Sequence, residues 1–185
     1  MNVLKKVREF RSDKQKKEKL RSCYNNRLPD EYVETYLELE IPQSYGPQLE
    51  KLCISDLGAK KVPSKLDRGD FLLNDKYFEH KFTYANQEHI EKANRNKFNF
   101  VQIRPWQKID GYVFEIYNQK EGFVRLVLSK RNVDTLLNKY GSLAHGTKET
   151  NNNAKKEHAL RGKIGDNCWN EMLEMHDENL LKETK

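Results

Sequence analysis

The stretch that decides the reading is Gly69-Asp70-Phe71-Leu72-Leu73-Asn74-Asp75-Lys76-Tyr77-Phe78-Glu79-His80-Lys81. Two apolar runs flank Asn74-Asp75, and Asn and Asp tolerate the left-handed backbone of a tight turn. A two-residue turn there predicts a β-hairpin. Leu73 then pairs with Lys76, Leu72 with Tyr77, Phe71 with Phe78, and Asp70 with Glu79. A four-residue loop keeps this pairing; a three-residue loop slips it by one and sets Asp70 against His80.

Opposed residues share a face, with Cβ atoms about 5 Å apart. Two carboxylates so placed repel each other, and a divalent cation between them removes the repulsion. Hard oxygen ligands favour Mg2+, or Mn2+ in its place, over zinc. Lys81 lies two residues beyond Glu79, so strand alternation returns it to the same face. The other face carries Phe71, Leu73, Phe78, His80, Phe82 and Tyr84, and is predicted to pack on the core. A plain surface hairpin alternates in the same way. The like-charge pair in the middle of the register sets this one apart.

Before the hairpin, Pro47 suits the first turn of a helix reaching about Leu57. Leu49, Leu52, Cys53 and Leu57 form its apolar stripe, Glu50 lies at the edge of that stripe, and Gly58 is placed to end it. After the hairpin, residues 98–104, 112–117 and 123–128 read as strands, and Asn132 to Tyr140 as a helix. Ser142 to Asn153 is polar and reads as a loop. Asp166 is placed to cap a last helix carrying Trp169, Met172, Leu173 and His176. The order is helix, strands, helices, which is a mixed α/β (α+β) class. Three divisions follow: a basic helical segment (1–40), a core (41–140), and a loop with a C-terminal helix (141–185).

Asp70 followed by Glu79-His80-Lys81 resembles the signature of the PD-(D/E)XK nuclease superfamily. In that family an acidic residue begins one strand and an acidic-x-Lys triplet lies on the next. Gly69 stands where proline is common. The resemblance covers roughly Gly46 to Leu128 and implies the restriction-endonuclease-like fold, with a central mixed five-stranded sheet flanked by helices. It implies Mg2+-dependent cleavage of double-stranded DNA, as in type II restriction enzymes. Asp70, Glu79 and the backbone carbonyl of His80 are then the metal ligands. Lys81 positions water or stabilises developing charge, and Glu50 is the additional acidic residue on the preceding helix.

The remaining composition is compatible with that chemistry. The chain has 185 residues and a formal net charge of +6, a balance that favours polyanions. Nine basic residues against three acidic ones lie between Lys5 and Arg21, as a phosphate-contacting arm or a solvated helix face. Gln102 and Arg104 share a face of what reads as an interior strand and are expected to point at the scissile strand. Lys130 and Arg131 suit backbone phosphates. His145, Thr147, Lys148 and Asn151 carry donors and acceptors that match base edges. Cys23, Cys53 and Cys168 are far apart, which fits free thiols in a reducing cytoplasm. With no apolar run of spanning length, no membrane partner is expected.

Cutting both strands with one site requires a homodimer or two nicks, and Trp169 and Met172 are the expected apolar anchors of a dimer contact. The competing classes are a structure-specific or nonspecific repair, recombination or phage nuclease of the same superfamily, and a non-catalytic nucleic-acid-binding protein.

Overall fold

The computed structural model describes residues 42–63, 67–85, 96–118, 122–144 and 156–183. The basic N-terminal segment and His145, Thr147, Lys148 and Asn151 lie outside them. The chain divides into two compact units, Met1–Gly58 and Ala59–Lys185.

In the first unit, helix α1 spans Pro42–Asp56. It starts earlier than the sequence reading placed it and holds Pro47 inside. Pro42 occupies the first helical position, where a missing N–H costs nothing, whereas Pro47 withholds one hydrogen bond from the ladder. Leu49 and Cys53, one turn apart, are both buried. Gly58 adopts φ 63° and its N–H donates to the Ser55 carbonyl at 3.1 Å, so it ends the helix as expected. Glu50 is part-exposed on α1.

The second unit is built on a five-stranded mixed sheet. Its strands are β1 (Lys60–Lys61), β2 (Phe71–Leu73), β3 (Lys76–Ala85), β5 (Gly111–Asn118) and β6 (Gly122–Ser129), in the order β1-β2-β3-β5-β6. β3 and β5 run parallel; the other pairs are antiparallel. The mixed α/β class therefore holds, but the membership of the sheet differs from expectation. The segment expected as its third strand, β4 (Lys97–Ile103), instead joins β7 (Gly141–Leu143) and β8 (His158–Lys163) in a three-stranded sheet of order β4-β8-β7. Ser142 and Leu143, expected in a loop, are thus strand residues.

The hairpin is as the sequence dictates. Asn74 and Asp75 take φ 49° and 61°, two consecutive left-handed residues as a type I′ turn requires. The ladder pairs Leu73 with Lys76, Leu72 with Tyr77 and Phe71 with Phe78. The short side chain of Asn74 serves twice, since its Nδ2 also donates to the Leu181 carbonyl at 2.8 Å.

The hairpin face expected to pack inward is buried, at Phe71, Phe78 and His80, and the face that carries Glu79 is covered as well. Cross-strand register puts Glu79 beside Tyr112 and Leu128, and Lys81 beside Phe114 and Leu126. That row faces the main hydrophobic cluster with Phe98, Phe100, Leu136 and Met172. Phe100 of β4 reaches across to Phe114, with ring centroids 4.6 Å apart. The opposite row is also largely closed: Phe78 and His80 are buried. A parallel pair at the centre of a sheet is covered on both faces, so strict alternation of polarity does not identify the core side here.

Helix α2 (Lys130–Tyr140) follows β6 directly, capped by Ser129. It buries Val133, Leu136 and Leu137, which recur at helical spacing. Helix α3 (Asn167–Glu174) is capped by Asp166, whose Oδ1 accepts from the Trp169 N–H at 2.9 Å, as expected from sequence. Trp169 and Met172 are buried in this core, Trp169 against Phe98, so they are not anchors for a second copy. Among the described residues no helix is long and apolar enough to cross a membrane.

Candidate active site

The site lies where β2 begins and β3 and β5 run side by side. Gly69 has φ 75°, a region closed to proline, whose ring fixes φ near about −65°. The backbone conformation therefore calls for glycine at this position. The turn at Gly69 carries Asp70 off the end of the ladder. Its N–H donates to the Phe78 carbonyl at 2.8 Å, and its own carbonyl accepts from the Val62 N–H at 2.8 Å. The pairing of Asp70 with Glu79 is therefore not a ladder pair. The Asp70 carboxylate instead accepts the backbone N–H of His80 through Oδ2 at 2.8 Å. In a strand the N–H and C=O of one residue point to the same side. The His80 carbonyl consequently faces the edge on which Asp70 stands.

Glu79 is only 3% exposed, and both of its oxygens are held. Oε1 accepts from Lys81 Nζ at 2.6 Å, with the Lys81 side chain 14% exposed. Oε2 accepts from Gln107 Nε2 at 2.9 Å. Two bonds to the charged carboxylate offset its desolvation: the one from Lys81, which strand alternation placed on the same face, and the one from Gln107, which the sequence did not suggest.

Gln107 comes from the segment between β4 and β5, which several hydrogen bonds tie to the hairpin. The Gln107 N–H donates to the Arg104 carbonyl at 3.0 Å, Lys108 N–H to Asp67 at 2.7 Å, and Asp110 N–H to Tyr77 at 2.8 Å. The Asp110 carboxylate accepts the Tyr77 N–H in return at 2.8 Å. Nothing in the sequence singles out Gln107: it is a lone polar residue in a loop, without periodicity or a motif. Its one signal is position, a few residues before the strand that pairs with Glu79.

Arg104 follows β4 and its Nε donates to Glu157 Oε1 at 2.8 Å. Burial pulls its pKa down, but the bond and charge of Glu157 outweigh this, and the fields of Glu79 and Asp70 add to the net upward shift. Arg104 thus lies within electrostatic reach of both acidic residues. Gln102 does not share a face with it. Gln102 is exposed with φ 56°, in a β-bulge that breaks the alternation of β4 between Phe100 and Ile103. β4 is an edge strand and Val101 is 40% exposed, so the interior-strand expectation fails there.

Lys130 and Arg131 begin α2 at the Glu79 end of the sheet, because Gly111 pairs with both Phe78 and Ser129. The Lys130 ammonium is taken by Asp134 at 2.7 Å, and Arg131 is exposed. Beside Glu79, the Tyr112 hydroxyl is buried with no partner among the described residues. Burial first, then the charges of Glu79 and Asp134, raise its pKa.

The other face of β3 holds a separate network. His80 Nε2 lies 2.9 Å from Glu115 Oε2, and Arg125 Nε donates to Glu115 Oε1 at 2.7 Å. Burial pushes the Glu115 carboxyl up, but the bonds and charges of His80 and Arg125 outweigh it, and the pKa lies below the ordinary value.

The Asp70 and Glu79 carboxylates and the His80 carbonyl are hard oxygen donors of the kind a divalent cation such as Mg2+ takes, with no thiolate or imidazole pair of a zinc site among them. No protein-family model matches the chain, and no curated protein matches its sequence, which leaves the geometry of the site as the ground for a functional reading.

Proposed function

We propose that the protein is a Mg2+-dependent endonuclease of the PD-(D/E)XK, restriction-endonuclease-like kind, hydrolysing phosphodiester bonds of double-stranded DNA. The observation that carries this reading is the convergence of Asp70 on the His80 backbone, and of Lys81 on Glu79, at the start of a β2–β3 hairpin. Asp70, Glu79 and the His80 carbonyl are the residues to hold the cation; Mn2+ can substitute. When bound, the cation polarises the scissile phosphate and lowers the pKa of a bound water.

The chain's own groups do the rest. Lys81, paired with Glu79 in this structure, would donate to the attacking water or to a phosphate oxygen as negative charge develops. Water oxygen bonds to phosphorus while the bond to the leaving oxygen breaks; the water's proton passes to solvent, and the leaving oxygen takes one from solvent. Arg104, 38% exposed at its side chain, stands ready to meet a phosphate beside the scissile one. Lys130 and Arg131, at the same end of the sheet, extend the basic track. Base reading falls to the polar segment that holds His145, Thr147, Lys148 and Asn151. Cutting both strands takes two copies of the chain or two successive nicks.

Incubation with mixed-sequence plasmid and Mg2+ tests this. Discrete fragments support site-specific cleavage, and a smear or structure-dependent nicking supports a repair-type nuclease. DNA binding without cleavage returns the protein to the non-catalytic class.

A further inference from the structure

We infer that Gln107 is a positioning residue of the Glu79 site: its Nε2 fixes the carboxylate, and its Oε1 is kept for a water beside it. The inference rests on the cation-dependent reading above. The Gln107 side chain is 5% exposed, and Nε2 donates to Glu79 Oε2 at 2.9 Å. Oε1 of the same amide is buried and accepts nothing among the described residues. A native fold rarely leaves a buried acceptor empty without an ordered water or a functional reason. The Tyr112 hydroxyl, on the residue paired with Glu79 across β3 and β5, is likewise buried and unpartnered. Two orphaned polar atoms, one on the residue that bonds Glu79 and one on its cross-strand neighbour, are the kind of buried group a bound water satisfies.

The division of labour follows from the chemistry of the amide. Lys81 takes one oxygen of Glu79 with a charge that a cation can displace. Gln107 takes the other with a neutral donor that has no reason to leave when the cation arrives. Glu79 would therefore keep one rotamer with or without a cation, Oε1 being the oxygen it could offer in place of its bond to Lys81. A residue that orients a ligand in this way sets affinity as well as rate.

The test uses the full chain with Gln107→Leu and Gln107→Glu, Mn2+ alone as the calorimetric probe, and plasmid cleavage as a second readout. Gln107→Leu is expected to weaken Mn2+ binding about 10- to 100-fold, as loss of such orienting bonds does, and to slow cleavage in step. Gln107→Glu keeps the shape and Oε1 but replaces the Nε2 donor with a second acceptor oxygen. It is expected to bind Mn2+ at least as well as the parent while cleaving at least about tenfold more slowly. A purely structural side chain does not separate those two readouts. Parent-like Mn2+ affinity and cleavage in Gln107→Leu overturn the inference; should that variant not fold, parent-like cleavage by Gln107→Glu overturns it. If the parent protein binds Mn2+ without cutting plasmid, and Gln107→Leu still weakens binding, the hold on Glu79 stands and the nuclease reading falls.

Discussion

Replacing Gly69 with alanine puts a Cβ 2.8 Å from the Phe78 carbonyl carbon, closer still to its oxygen, and 3.0 Å from Ile109 Cγ2. The obstacle is backbone, so it cannot swing aside. The left-handed φ of 75° adds about 1–2 kcal/mol for any residue with a Cβ. Relief of the clash moves residues 69 and 70 away from β3. That stretches the Asp70 N–H bond to Phe78 and pulls the Asp70 carboxylate off the His80 N–H. One backbone bond contributes about 1 kcal/mol net and one bond to a charged group about 1.5–3 kcal/mol. Lower entropy of the unfolded chain offsets about 0.4–1 kcal/mol. The expected loss is about 3–4 kcal/mol, which lowers a urea midpoint by about 1.5–2 M for a slope near 2 kcal/mol per molar. Urea unfolding followed by circular dichroism reads this, and Mn2+ calorimetry on the folded variant should show weakened binding. Gly69→Pro should be worse than alanine, because proline cannot adopt a positive φ. A parent-like midpoint together with parent-like Mn2+ binding would refute the argument that this glycine sets the position of Asp70.

Other outcomes follow from the same structure. Asp75→Gly, at an exposed left-handed position of the type I′ turn, should stabilise by about 0.5–1 kcal/mol, read as a raised urea midpoint. Glu115→Gln, which leaves His80 and Arg125 without their shared carboxylate, should destabilise by about 3 kcal/mol near neutrality. The Glu115 pKa is lowered in the folded state, so its contribution is present above the ordinary carboxylate value of 4.5 and is lost as pH falls through the lower folded value. Urea midpoints of parent and variant should accordingly converge in acid; a gap that widens there contradicts the assignment. Arg104→Met should weaken DNA binding uniformly across sequences and reduce the slope of log affinity against log salt by about 1, measured by fluorescence anisotropy.

How much of this was legible in the sequence differs by element. Asn74-Asp75 set the hairpin register because a two-residue turn admits few backbone conformations, and the caps at Ser129 and Asp166 are local hydrogen bonds. Local chemistry of this kind reads well. Long-range choices do not. Whether β4 joins the main sheet or pairs with β8 depends on which edge is free after β3 and β5 have paired, and no residue of β4 encodes that. β8, His158–Lys163, has a short, weakly apolar sequence that gains its strand identity only between β4 and β7. For the same reason Asp70, Glu79 and Lys81 could be picked out together while Gln107 could not. The first three are related by one turn, whereas Gln107 reaches Glu79 through a loop whose path is set by bonds to Asp67 and Tyr77.

The most direct measurement is cleavage of supercoiled plasmid by the parent protein and by Lys81→Ala, in Mg2+ and with the metal chelated. The account predicts nicked or linear product with Mg2+ only, none after chelation, and none from Lys81→Ala although that variant still binds DNA. Equal cleavage by Lys81→Ala, or intact plasmid with the parent protein in both Mg2+ and Mn2+, would contradict it.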